Sequence, residues 1–243
     1  MEEKQITHLL PKNPAEWLAP EEREPNSSQM KPVDARGANW RNKVLPNLDL
    51  REANLCRVDL RGTNLTACQL KGCKLTLARY DNKTKVPDGF DLERSGAVGP
   101  GAILNGAFLN GADLRGMDLH DAKFIGSYLS GCDLSGAVLN GASFAGADLR
   151  YAKLRSSSCV GTRFGSSQMN HVDLRAANIK NAALDTAESI QGADFSLVKG
   201  IDIRQLENLL MRSQAELDCW NPLTRQTTRK SLESLGQSQT SNI

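Results

Sequence analysis

Aromatic residues are scarce in this sequence, and it has no long hydrophobic run. Phe, Trp and Tyr make up 5% of the 243 residues, which argues against a wide globular core built around large rings. No segment reaches the roughly 18 consecutive apolar residues that indicate a membrane-spanning helix. Residues 1–18 also lack the basic start and apolar run of a secretory signal. We therefore expect a soluble, cytoplasmic chain with no membrane partner.

The sequence also lacks paired metal-binding motifs and a strong net charge. None of the six cysteines belongs to a C-x-x-C pair, so the usual signature of zinc or redox chemistry is missing. His8, His120 and His171 have no partner at the spacing of a nucleophile or a metal site. The formal net charge of +2 requires neither a nucleic-acid partner nor an acidic surface. We predict no catalytic residue, no metal site and no cofactor.

A period of five residues organises the sequence from Ala102 onward. The residue two before the centre of each five is small, the residue one before it is commonly Asp or Asn, and the residue two after it is commonly Gly. A period of five fits neither a continuous helix nor a continuous strand, so the chain must turn in every unit. The centres are large and apolar in eleven consecutive units: Leu104, Leu109, Leu114, Leu119, Phe124, Leu129, Leu134, Leu139, Phe144, Leu149 and Leu154.

Each unit is predicted to have an inward and an outward face. In an extended segment, the centre and the residue two before it lie on one face, and the residue between them lies on the other. The first two side chains should therefore point inward. Gly two after the centre suits a corner that needs a positive φ. Successive coils would then stack about 4.8 Å apart and cover one another.

The motif A-[D/N]-L-x-x, present at residues 53–57, 112–116 and 147–151, resembles that of the pentapeptide-repeat family. The resemblance implies an all-β solenoid, a right-handed quadrilateral β-helix with four repeats per coil. Side chains at matching positions of successive coils would then stack in an inward ladder. The predicted structural core therefore includes Leu114, Leu134, Leu154 and Leu174.

The period divides the chain into six predicted segments. The register slips by one residue before Ala193, which predicts a bulge near residues 190–192. In the N-terminal segment, Leu9, Leu10, Trp17 and Leu18 belong either to a docking peptide or to a strap over the first coil. The segments are an arm with a short helix and flexible linker (1–32), a first repeat block (33–80), a loop insertion (81–101), a second repeat block (102–200), a capping helix (201–218) and a flexible basic tail (219–243).

Charge makes the first block a candidate partner-binding surface. It carries nine basic and four acidic residues, whereas the second block carries nine of each. Either an acidic partner compensates the outward basic residues, or nearby Asp49, Glu52 and Asp59 do so. The candidate residues, which stack in pairs on successive coils, are Arg41 with Arg61 and Arg51 with Lys71.

The insertion is a second candidate binding site. Its sequence YDNKTKVPDGFD is similar to an interruption found in cyanobacterial members of the family. The Pro-Asp-Gly turn favours a loop. Val86 and Phe90 are either exposed on that loop for a partner or packed against the solenoid wall.

These features favour a non-enzymatic protein–protein interaction module or regulator that presents a rigid β-helix surface to a protein partner. The alternative is a DNA-mimicking protector or inhibitor of DNA gyrase, since some family members resemble duplex DNA. That role requires a broadly acidic surface, and this sequence departs from it. Nucleic-acid binding is not expected, because the basic block has few aromatic residues to stack against bases.

Overall fold

The structure, a computed structural model, describes residues 32–240, with side chains through residue 236. The predicted N-terminal arm, with Leu9, Leu10, Trp17 and Leu18, lies outside the described residues apart from its last position. The chain divides into two compact units, of which the first ends at Ala102 and the second begins at Ile103.

In the first unit, the outward residue of each repeat forms a parallel bridge with the outward residue of the fourth repeat after it. Asp34 bridges Asn54, and Asn54 bridges Lys74. Four repeats therefore complete one coil. The main chain joins the coils in both directions, because Leu55 N donates to Lys74 O and Lys74 N donates to Ala53 O, both at 2.8 Å.

The second unit repeats this register from Ile103 to Lys199. The ladder of Leu114, Leu134, Leu154 and Leu174 is at most 2% exposed. A neighbouring inward column carries three aromatic rings. Phe124 and Phe144 stack with centroids 4.9 Å apart, and Phe144 and Phe164 stack at 5.6 Å. The core is thus a set of parallel columns in which each side chain packs on its counterpart one coil away.

In most repeats, the corner lies two residues after the centre and has a positive φ. Gly131 has φ 67° there, and a glycine adopts this conformation without steric cost. The next two corners of the same column are Tyr151 and His171, with φ 61° and 59°. A bulky residue is uncommon in this region, so these corners carry backbone strain that the surrounding coils must hold.

The insertion is not a protruding loop, because two of its residues continue the bridge ladders. Lys85 bridges Asn64 and Val98 bridges Arg79, so the offsets in the chain are 21 and 19 rather than the regular 20. The altered spacings show that the insertion completes a coil of irregular length. The loss of register predicts a loop because the period of five no longer marks the inward positions in this segment.

One extra residue interrupts the last coil of the second unit. Ala183 bridges Arg163 at the regular offset of 20, whereas Ser189 bridges Gln168 at 21. The extra residue therefore lies between Ala183 and Ser189, a few positions before the predicted bulge at residues 190–192.

The C-terminal segment differs from the prediction of one helix over 201–218 and a flexible tail. Up to residue 240, where the described part of the chain ends, three helices follow the last coil: α1 (Ile203–Leu210), α2 (Gln214–Leu217) and α3 (Thr228–Thr240). The first two are separate because Ser213 caps α2 through its side chain. Within the predicted tail, α3 forms because Leu232 and Leu235, at helical spacing, are buried. No helix within residues 32–240 has the length and apolarity to cross a bilayer.

Side chains of this segment bond to main-chain groups of the last coil. In the interior coils of the second unit, the N–H of each centre donates to the next coil. In the last coil, Ile190 N donates to Glu216 Oε1 at 2.5 Å, and Phe195 N donates to Ser231 Oγ at 3.1 Å. Gln205 donates to the carbonyl of Ala182. Polar side chains thus take the place that the main chain of a further coil would occupy.

Candidate partner-binding surfaces

The Arg41 and Arg61 pair is compensated by a carboxylate within the same unit. The guanidinium of Arg61 pairs with Asp59 at 2.5 Å, and Nε of Arg41 lies 3.9 Å from the same carboxylate. Although partial burial opposes ionisation, hydrogen bonding from Arg61 holds the pKa of Asp59 below its ordinary value. The two arginines, one coil apart, therefore share the Asp59 carboxylate, which reduces the repulsion between their charges.

Arg51 and Lys71 lie on a different side of the coil. Arg51 pairs with Asp49 at 2.5 Å, and its hydrogen bonds lower the pKa of the Asp49 carboxyl to about 2. Lys71 is exposed. Residues 41 and 51 are two repeats apart, so in a coil of four repeats they occupy opposite sides. The structure does not bring the four predicted basic residues into one surface.

Val86 and Phe90 are both half-buried. They follow Lys85, whose main chain is held in the ladder by bonds to Thr63 O and Leu65 N at 2.8 Å each. Neither residue is among the large hydrophobic side chains that the described part of the chain exposes. The exposure of both side chains is therefore intermediate between the two predicted alternatives, which are exposure on a loop and packing against the solenoid wall.

The Asp residues one before the centre have a structural role. Each accepts a hydrogen bond from the main-chain N–H two residues later; for Asp148 the distance to Arg150 N is 3.1 Å. Such a bond stabilises the turn that follows. His120 also bonds to Asp118 at 2.8 Å. The Asp residues that stabilise the turn in this way are Asp113, Asp118, Asp133, Asp148, Asp173 and Asp194.

Within residues 32–240, no group of three or more His, Cys, Asp or Glu side chains could hold a metal ion.

Burial makes the inward cysteines unreactive. It raises the pKa of Cys132 to about 12 and that of Cys159 to about 11. Because the thiolate is the reactive form, these thiols behave as small apolar side chains. Cys68 is also buried, and Cys73 is half-buried.

A pair of exposed aromatic rings was missed by the sequence reasoning. Phe108 and Tyr128 occupy the outward position on successive coils and form a parallel bridge. Their rings stack with centroids 4.8 Å apart and an angle of 3° between the planes. Phe108 is 76% exposed and Tyr128 44%. Ile125, on the adjacent corner, is 45% exposed. The signal was present in the sequence, because an outward position that commonly holds Asp or Asn carries Phe and then Tyr in repeats that are four apart.

The profile of the pentapeptide repeats family matches the chain in eight copies, over residues 33–66, 45–76, 101–131 and 118–155. The chain is a pentapeptide-repeat protein. Pentapeptide-repeat proteins fold as right-handed quadrilateral β-helices, which agrees with the register of four repeats per coil. They are generally structural or interaction modules rather than enzymes.

Several solved pentapeptide-repeat structures are similar to the chain. HetL of Nostoc sp. strain PCC 7120, involved in heterocyst differentiation regulation, is 24% identical, with 65% of this chain and 89% of HetL covered and a TM-score of 0.35. A pentapeptide-repeat protein from the Arabidopsis thaliana thylakoid lumen is 28% identical (56% and 90% covered, TM-score 0.29). QnrB1, a plasmid-mediated fluoroquinolone resistance protein, is 17% identical (72% and 89% covered, TM-score 0.35). No curated protein matches the chain.

Proposed function

We propose that this pentapeptide-repeat protein is a non-enzymatic interaction module that binds a protein partner. The binding surface is the side of the second unit that carries Phe108 and Tyr128, which we call the aromatic ladder. The observation that carries the proposal is the exposure of two stacked rings at positions that point away from the core.

The fold itself does not need these rings. The same ladder continues with Asp148 and Gln168, so polar side chains fit the position. Leaving a large apolar side chain in water forgoes about 1.5–3 kcal/mol relative to burying it. A partner that covers both rings would recover this free energy. Two adjacent apolar groups at one site are therefore more informative than scattered exposed hydrophobic residues.

The geometry of the aromatic ladder favours a protein over a nucleic acid. Bases bind by stacking on free aromatic faces beside cations that contact phosphates. Here Phe108 and Tyr128 stack on each other, which occupies one face of each ring. The outward residues two positions later are Asn110 and Ser130, which are uncharged. A neutral strip of ring edges fits the apolar centre of a protein interface.

The predicted basic surface is the weaker candidate. Arg41, Arg51 and Arg61 have carboxylate partners within the first unit, which supports compensation by neighbouring residues rather than by a partner. Ion pairs of exposed side chains contribute only about 0–1 kcal/mol each, so these arginines remain available for steering an acidic partner. They remain a secondary proposal.

The alternative of a DNA-mimicking gyrase protector has no specific observation in its favour. The second block carries nine acidic and nine basic residues. Within it, Arg150 pairs with Asp148 at 2.7 Å, and Arg175 pairs with Asp173 at 2.7 Å. Such pairing neutralises the acidic rows that a mimic of duplex DNA would need.

In this proposal, the C-terminal helices cap the last coil of the second unit. Their side chains satisfy main-chain groups that a further coil would otherwise pair. An unpaired β edge invites pairing with other chains, so the cap would keep the module discrete in solution. The free cysteines of the described residues suit a reducing, cytoplasmic compartment.

The proposal is tested by affinity capture with a double variant, Phe108→Gln with Tyr128→Gln. Glutamine fits the site because Gln168 occupies the same ladder. The matched control is Val138→Gln, which changes a 36% exposed outward residue of another ladder. We expect the partner captured by the parent chain to be retained by the control and lost by the double variant. Equal capture by both variants would refute the aromatic ladder as the binding surface.

A further inference from the structure

His171 occupies a strained corner that is packed on both sides. Its column runs from Tyr151 through His171 to Gly192 in successive coils. The Tyr151 ring stacks on the imidazole with centroids 4.9 Å apart. On the other side, a Cβ at Gly192 would overlap Nδ1 of His171, so only a glycine allows the next coil to approach this closely.

A hairpin of the C-terminal segment is fastened to this corner. It spans residues 220–227 and is closed by an antiparallel bridge between Trp220 and Thr227. Its Asn221 is fully buried. The Asn221 amide donates to Gly192 O at 2.7 Å and to His171 O at 3.3 Å. The main chain of the His171 corner is therefore part of the attachment site of the hairpin.

The imidazole of His171 has a buried nitrogen, Nδ1, at which a bound proton would have no hydrogen-bond acceptor. Among the described residues, Nδ1 of His171 has no hydrogen-bond partner and is shielded from solvent. The neutral tautomer with its proton on Nε2 avoids burying an N–H without an acceptor. A second proton would have to go onto Nδ1. Thr224, in the hairpin, also has a buried hydroxyl without a partner.

We propose that His171 is a proton-sensitive latch, which holds the hairpin on the last coils when the imidazole is neutral and releases it when the imidazole is protonated. Protonation places a charge and an unpaired N–H against Gly192. Such a buried charge is costly unless it is paired. Movement of the hairpin would admit water to the ring and relieve this cost. Partial detachment of the C-terminal segment is the predicted response.

The residues beside His171 in the two adjacent coils, and those at the attached end of the hairpin, include no acid. From the preceding coil come Tyr151 and the neighbouring Arg150, which is itself paired with Asp148. The following coil contributes Gly192 and the uncharged Gln191. The hairpin contributes Asn221 and Thr224, followed by the basic Arg225. Burial alone lowers the pKa of His171, which agrees with the packing.

The direction of the pH dependence follows from this lowered pKa. With the hairpin attached, the imidazole titrates below the value of a free histidine, about 6.5. Above that pH both attached and detached states are neutral, and the attachment is at full strength. As pH falls below it, only the detached state takes up the proton, and attachment weakens until the pH reaches the lowered pKa.

Hydrogen–deuterium exchange of the full chain between pH 7.5 and pH 5 tests the latch. The informative amides are those of Asn221 and Arg225, which bond to Gln226 O and Asn221 O. After correction for intrinsic exchange rates, we expect their opening to increase by about tenfold per pH unit below about 6.5. Unchanged protection across this range would overturn the proposal.

Two variants separate the latch from general acid sensitivity. His171→Asn and His171→Gly both fit a left-handed corner, and glycine occupies the equivalent corner at Gly131. Both should abolish the pH dependence, whereas His120→Asn, at a half-buried position in another column, should leave it as in the parent. If the His171 variants keep the parent's slope, the latch is refuted. NMR titration of His171 in the unmodified chain decides without any variant, because a midpoint at or above about 6.5 contradicts the proposal.

Discussion

Replacing Phe144 with alanine tests the packing of the inward columns. Phe144 is fully buried and lies between Phe124 and Phe164, with ring centroids 4.9 and 5.6 Å away. Truncation removes the transfer free energy of one ring, both stacking contacts and the packing around the cavity. For a buried Phe this loss is about 3–5 kcal/mol. It is a large share of the roughly 5–15 kcal/mol typical of a whole domain.

Two matched substitutions identify the source of this loss. Phe144→Leu should cost much less, on the order of 1 kcal/mol, because Leu104 and Leu184 occupy the same column and are buried. Phe108→Ala also removes a ring stacked on another ring, but that ring is 76% exposed. It should cost about 1 kcal/mol or less.

Urea denaturation followed by circular dichroism measures these differences. In a repeat protein, a local loss can uncouple neighbouring coils, so the slope of the free energy with denaturant should be compared as well as the midpoint. A Phe144→Ala chain as stable as the parent, or one no less stable than Phe108→Ala, would refute the inward assignment of this column.

Three further predictions follow from the core, the basic surface and the charge balance. Leu134→Asp places a carboxyl group without a partner in the apolar interior and should cost at least several kcal/mol, because burying a charge costs more than burying a neutral polar group; thermal melting would detect this loss. Arg41→Glu with Arg61→Glu should leave the circular dichroism spectrum unchanged. This double variant should weaken partner capture no more than the control, Arg155→Glu with Arg175→Glu. In the parent chain, Arg155 and Arg175 likewise share one carboxylate, that of Asp173. A greater loss of capture by the Arg41 and Arg61 variant at low salt would restore the basic surface as the binding site. The purified chain should not protect gyrase-catalysed supercoiling from quinolones, and protection at sub-stoichiometric protein would favour the DNA mimic.

The repeated part of the fold could be predicted because the residues within each repeat determine its conformation. The apolar centre, the small residue before it and the corner glycine are local features, and Leu134 and Gly131 illustrate them. The insertion could not be predicted in the same way. Its Lys85 and Val98 join the ladders at offsets of 21 and 19, and only the coils beside them determine where the chain rejoins.

The surface was harder to predict because its interactions cross from one coil to the next. Asp59 lies near both Arg41 and Arg61, which follows only once the register of four repeats per coil is known. The stacked pair of Phe108 and Tyr128 was visible as an exception to the outward Asp or Asn. The two rings lie 20 residues apart, and only the stacking of successive coils brings them together. In the C-terminal segment, Leu232 and Leu235 were too few to show a helical stripe.

A photo-crosslinking amino acid in place of Phe108 shows whether a protein binds to the aromatic ladder. A benzophenone side chain retains the aromatic ring and reports which molecule lies against it in cells of the source organism. The control is the same substitution at Val138, on another ladder of the second unit. We predict a single protein crosslinked through position 108 and little or none through position 138. Crosslinking in equal yield at both positions, or at neither, would contradict it.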